Sequence, residues 1–117
     1  MPVNGVPFTP PSGGRHVYEL RTYTAHYQQL PDWLGEFTGI LPTRQQYSKI
    51  VGLWTTDVGP LNQAIHMWAY DDLNQRAEVR ATVLKDPRWQ EFLPRSTPLL
   101  AEMQSVILIP VPSSPLQ

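Results

Sequence analysis

The chain has 117 residues, a formal net charge of -1 and a sequence pI near 6.3, so one domain is expected and a broad electrostatic footprint for nucleic acid is not. It is 41% hydrophobic, enough for a single modest core, and it has no run of 18 apolar residues, which argues against an ordinary transmembrane helix and a membrane partner. It has no cysteine, so a disulfide framework, a thiol nucleophile and a cysteine-ligated metal are excluded, and a cytoplasmic location is expected.

Residues 1–16 contain four prolines, no apolar signal-peptide core and Arg15 as their one arginine or lysine. That composition predicts a flexible tail rather than a targeting segment. Residues 110–117, PVPSSPLQ, read the same way, which leaves 17–109 as the folded domain. VYELRTY from Val17 alternates as a strand does. A helix follows from Pro31, with Asp32 near its positive end and Trp33, Phe37, Ile40, Leu41 and Arg44 at helical spacing. Pro42 is expected to bend or split it, because proline removes an amide donor and crowds the preceding turn. KIVGLWTT and AIHMWAY read as two strands joined by the turn DVGPLNQ. Asp72 and Gln75 resemble a capping box opening the helix LNQRAEVRATVLK, and Asp86-Pro87 caps and starts a short helix with Trp89, Phe92 and Leu93. EMQSVILI, 102–109, is the last strand.

The order β-α-β-β-α-β predicts an α+β, ferredoxin-like fold: a four-stranded antiparallel sheet with helices on one face. Leu20, Val51, Leu53, Ile65, Met67, Met103 and Ile107 suit the helix side. Glu19, Arg21, Tyr23, Trp54, His66, Trp68, Tyr70, Gln104 and Val106 are expected on the other. That second face is too aromatic to leave open and too polar for a dry core, so a homodimer closed face to face is expected to cover it.

YELRTY at Tyr18, the run VGLWTTDVGPLNQAIHMWAYDDLNQRAEVRA from Val51, KDPRWQEFLP from Lys85 and LLAEMQSVILIP from Leu99 together resemble the NIPSNAP domain family. The resemblance implies a ferredoxin-like fold of the dimeric α/β-barrel superfamily, in which two sheets form one barrel. Eukaryotic members are linked to mitochondria and to recruitment of autophagy proteins. The wider superfamily holds cofactor-free monooxygenases, lactone isomerases, polyketide cyclases and haem enzymes. At that distance the fold is implied, and a substrate is not.

His66 is the leading chemical candidate, a proton-transfer group on an otherwise apolar strand, with a structural histidine bonded to Glu19 or to the partner as its alternative. Arg21 can stabilise a developing enolate, phenolate or carboxylate, or can pair with Glu19 or Glu102. Trp54 and Trp68 can clasp an aromatic ligand or anchor the dimer. Glu19, Tyr23, Tyr70 and Gln104 complete the ligand-binding set. Trp33, Phe37, Trp89 and Phe92 read as core, and Arg76 and Arg80, one helical turn apart, as a solvated face or contacts across the dimer, with an anion site as the alternative. His16 and His26 stand apart from His66, and no metal, dinucleotide, phosphate-loop or serine-elbow motif is present, so no metal and no bound cofactor are expected. The expected function is binding of a small aromatic or enolisable molecule, possible in combination with proton transfer, isomerisation, cyclisation or oxygenation. The alternative is a non-catalytic ligand-binding or protein-interaction module.

Overall fold

The computed structural model describes residues 15–117. Of the expected N-terminal tail, 1–16, only Arg15 and His16 therefore fall within the described residues. The elements are β1 (Val17–Ala25), α1 (Leu30–Arg44), β2 (Ile50–Thr55), β3 (Gln63–Tyr70), α2 (Leu73–Leu84), α3 (Pro87–Ser96), a single 3-10 turn (Thr97–Leu99) and β4 (Leu100–Leu108).

The local signals act largely as their chemistry dictates. Asp72 accepts a hydrogen bond from the Gln75 amide at 2.7 Å, while the Gln75 side chain accepts from the Asp71 amide at 2.6 Å. This is the reciprocal capping pattern displaced by one residue. Asp86 accepts from the Arg88 amide and opens α3 with Pro87 in its first turn. Of the two expected effects of Pro42, a split does not occur, for α1 runs on to Arg44. Pro42 and Thr38, whose carbonyl it leaves without its helical donor, both lie on the exposed side of the helix, where water can take the place of the missing amide.

The sheet order is β2-β3-β1-β4, all neighbours antiparallel. Helices cover one face, as the element order predicts. The sheet is open, with β2 and β4 as its edges, and this overturns the expected dimeric α/β-barrel: the strands do not close into a barrel.

In β1 and β3 the two faces are exchanged relative to the expectation, whereas Leu53, Met103 and Ile107 lie on the helix side and Trp54, Gln104 and Val106 on the other, as expected. Trp33, Phe37, Ile40 and Leu41 of α1 and Phe92 of α3 form one buried cluster with Ala64, Trp68 and Tyr70 of β3. The polar, aromatic face therefore lies beneath the helices. Leu20, Ile65 and Met67 lie on the other side. Trp54 and Gln104 do not belong with His66. Leu53 is the residue opposite His66, which turns Trp54 to the side of Ile65, and Ser105 is opposite Arg21, which turns Gln104 to the side of Thr22. A one-residue change of register moves every side chain of a strand to the other face. An irregularity between Ile50 and Gly52 sets this register in β2. Trp54 lies folded over Gly52, where any Cβ would stand only 2.4 Å from the indole.

At one end of the uncovered face, the segment expected as a C-terminal tail lies against the domain. The Gln117 carbonyl accepts from the Tyr18 hydroxyl at 2.7 Å and lies 2.8 Å from His16 Nδ1.

Candidate functional site

Alternation along two paired strands builds the floor of a pocket. Glu19, Arg21 and Tyr23 are successive same-face residues of β1; His66, Trp68 and Tyr70 are the same on β3. Glu19 is opposite Trp68 and Arg21 opposite His66. The roof comes from the apolar stripe of α1 and from α3, with Arg80 and Leu84 of α2 at one side and Met103 of β4 at another. Between them is a cavity of about 210 Å³. A dry cavity of roughly 150 Å³ is enough for benzene, so this one suits a single ring with a small substituent.

Six of the eight expected site residues, Glu19, Arg21, Tyr23, His66, Trp68 and Tyr70, line this pocket. Trp54 and Gln104 lie on the opposite face, as described above. Rings form the walls: Trp33 stacks on Phe37 with centroids 4.7 Å apart, Phe37 is 5.0 Å from His66, and Tyr23 meets His66 edge-on at 4.8 Å. The aromatic residues that read as core are therefore core and pocket wall at once.

Glu19 has no exposed surface and is the electrostatic centre. Arg76 grips it with two hydrogen bonds, at 3.0 and 2.8 Å, Arg21 donates at 2.7 Å, and Ser105 donates at 2.5 Å. Burial by itself raises a carboxyl pKa, but the bonds from Arg76 and Ser105 and the charge of Arg21 outweigh it and hold Glu19 at about 2. Of the two readings of Arg21, the pairing with Glu19 is present, and its Nε also donates to the Tyr23 hydroxyl at 2.7 Å.

His66 is 2% exposed. Its Nδ1 accepts a 2.7 Å hydrogen bond from Trp68 Nε1, and the alternative of a bond between His66 and Glu19 is not present. The acceptor role of Nδ1 puts the proton of the neutral ring on Nε2. That Nε2 is buried and has no hydrogen-bond partner among the described residues. Burial first, then the charges of Arg21 and Arg44, against the opposing pull of Glu19, lower the His66 pKa to about 3. At neutral pH it is an uncharged ring with one unmet donor.

Arg44 on the pocket lining and Ser105 beside Glu19 are two polar residues that sequence reasoning missed. Arg44 is 5% exposed, donates to Ser48 at 2.7 Å and to the Tyr70 hydroxyl at 3.0 Å, and lies 4.2 Å from the Trp68 ring centroid. Its visible signal was a charged residue on the apolar stripe of α1. Ser105 had none, since a serine on an edge strand is ordinary. Among the described residues no three His, Asp or Glu side chains come together as metal ligands, and no helix is long and apolar enough to cross a membrane.

An open ferredoxin-like sheet with a ring-walled pocket under its helices defines a small α+β domain with room for a small molecule. The chain belongs to the NIPSNAP family, whose model matches residues 18–115. It is 36% identical over 100 residues to a Dictyostelium discoideum NipSnap homolog, covering 86% of this chain and 45% of that protein. With human NipSnap homolog 2 it shares 34% over 107 residues, covering 92% and 37%. The chain thus spans less than half the length of these curated relatives. A crystal structure of an uncharacterized NIPSNAP domain protein from Burkholderia xenovorans superposes with a TM-score of 0.81 at 38% identity, covering 85% of this chain and 98% of that one.

Proposed function

We propose that this NIPSNAP-family protein binds a small ring-containing molecule, without turnover, in the pocket between β1, β3 and the helices. The observation that carries the reading is a ring-walled cavity of about 210 Å³ lined by His66, whose buried Nε2 has no hydrogen-bond partner among the described residues. An unmet buried donor costs roughly 1–3 kcal/mol, and a ligand acceptor recovers part of that. The same facts weigh against His66 as a general base. Its basic nitrogen is already engaged by Trp68, and a pKa of about 3 leaves little affinity for a substrate proton. In this reading His66 orients a ligand by donating, and Arg21 supplies positive charge.

The test is native mass spectrometry of the purified protein, followed by calorimetry with a panel of single-ring compounds on wild type and Leu93→Trp, which puts bulk into the cavity. Binding by the wild type that is lost in a folded Leu93→Trp variant supports the reading. Binding that is unchanged in the variant, or no binding to either, contradicts it.

We also propose a homodimer that covers the helix-free face. Support comes from half-exposed apolar residues there, Trp54 at 49% and Val106 at 48%, beside Leu20, Ile65 and Met67. Light scattering that finds a stable monomer at micromolar concentration contradicts it.

A further inference from the structure

Charge in and around the pocket is strongly one-sided. Arg21, Arg44 and Arg80 line it together with a single carboxylate, Glu19. That carboxylate is already saturated by Arg21, Arg76 and Ser105. Among the described residues, no carboxylate lies within ion-pair distance of Arg44 or Arg80. Burying guanidinium charge without a counter-ion is costly, and an anion inside the cavity is the compensation this arrangement lacks.

The donors available to that anion lie side by side. Arg21 and His66 are direct cross-strand partners on one face, a placement that brings their Cβ atoms to roughly 5 Å. Arg21 commits Nε to Tyr23 and Nη1 to Glu19, which leaves Nη2 without a hydrogen-bond partner among the described residues. His66 adds its unmet Nε2–H. Two donors on neighbouring side chains suit an acceptor with two oxygens, and the carboxylate geometry of guanidinium recognition supplies one.

We propose that the pocket selects a small aromatic carboxylate, with its ring among the aromatic walls and its two oxygens on the His66 Nε2–H and the Arg21 guanidinium. This rests on the reading of the cavity as a ligand site and narrows that reading to a chemical class. Neutral and cationic rings of the same size are disfavoured, because they leave the surplus guanidinium charge unmet. A ring with a single charged oxygen presents one acceptor atom to the two donors and lacks the two-point fit of a carboxylate.

The experiment is calorimetric titration at pH 8 with benzoate, benzamide, benzylamine and 4-nitrophenolate at two salt concentrations. The expected result is benzoate binding at least tenfold tighter than benzamide and tighter than 4-nitrophenolate, weakening as salt rises, with benzylamine not bound. In Arg21→Gln the preference for benzoate over benzamide should fall at least fivefold. Arg80→Gln, at a partly exposed position, should lower it by a smaller factor and serves if Arg21→Gln does not fold. Equal affinity for benzoate and benzamide, tighter binding of 4-nitrophenolate, or a preference unchanged in the folded variants overturns the carboxylate class while leaving the pocket a ligand site. No binding of any of the four overturns both.

Discussion

Glu19→Gln isolates the charge at the centre of the pocket. The side chain keeps its size and still accepts from Arg76 or Ser105, but the guanidinium groups of Arg21 and Arg76 lose their buried counter-ion. The side chains of Arg21 and Arg76 are 16% and 27% exposed against 1% for Glu19, so water relieves part of that loss. Lowering of the Glu19 pKa from 4.5 to about 2 corresponds to roughly 3 kcal/mol of stability at neutral pH. This agrees with the roughly 3–5 kcal/mol cost of breaking a buried pair from one side. The sign follows from a carboxyl whose pKa is depressed in the folded state. Its stabilisation is fully present above the unfolded value near 4.5 and is lost as pH falls through the folded value near 2. Urea denaturation of wild type and Glu19→Gln at pH 7, 4.5, 3 and 2 measures both effects. The expected gap is about 3 kcal/mol at pH 7, or a Tm difference of roughly 12 °C or more, closing towards pH 2. A gap that stays constant with pH refutes the assignment of the stabilisation to the ionised carboxylate.

His66 should remain neutral throughout pH 4.5–8, because burial lowers its pKa to about 3. The unfolded chain takes up this proton near pH 6.5 and the folded chain does not, so His66 adds to the loss of stability as pH falls from 6.5 towards 3. Imidazole NMR shifts check this, and titration of His66 above pH 5 contradicts it. Gly52→Ala should push the Trp54 indole off the strand, changing its fluorescence at a stability cost of about 1 kcal/mol, since the clash falls on a half-exposed side chain. The cost should vanish when Trp54→Ala is the background. Asp72→Ala should cost about 1 kcal/mol in denaturant midpoint analysis, because it strips the Gln75 amide of its cap. An unchanged midpoint contradicts that role.

Element order was legible because each signal acts within a few residues. The Asp72–Gln75 cap, the Asp86-Pro87 start and the stripe from Trp33 to Arg44 all depend on chain-local geometry. Which face of β1 and β3 meets the helices was not legible. Alternation sorts β3 into Ile65 and Met67 against His66, Trp68 and Tyr70, but it carries no sign. The polar face looked unsuited to burial because its partners lie far away in sequence: Arg76 is 57 residues from Glu19 and Ser105 is 86. Once those partners close the network, the face is acceptable as a core. Trp54 and Gln104 were grouped with His66 for a related reason. Pairing register depends on the irregularity between Ile50 and Gly52 and on the β1–β4 alignment, and neither is encoded in the alternation of a single strand. His66 stood out as the unusual residue of its strand, but its neutral donor state arises from Trp68 and from burial.

Four tryptophans provide a direct test of where a ligand binds. Trp33, Trp68 and Trp89 line the pocket, and Trp54 lies on the opposite face of the sheet. In a uniformly 15N-labelled sample each gives one indole signal, and a titration with benzoate and related single-ring compounds reports on all four at once. Ligand binding under the helices predicts that the Trp33 and Trp68 indole signals and the His66 Nε2–H move together and saturate, while Trp54 stays still. Movement of Trp54 with the other three unmoved, or no saturable movement of any, contradicts a pocket between the sheet and the helices.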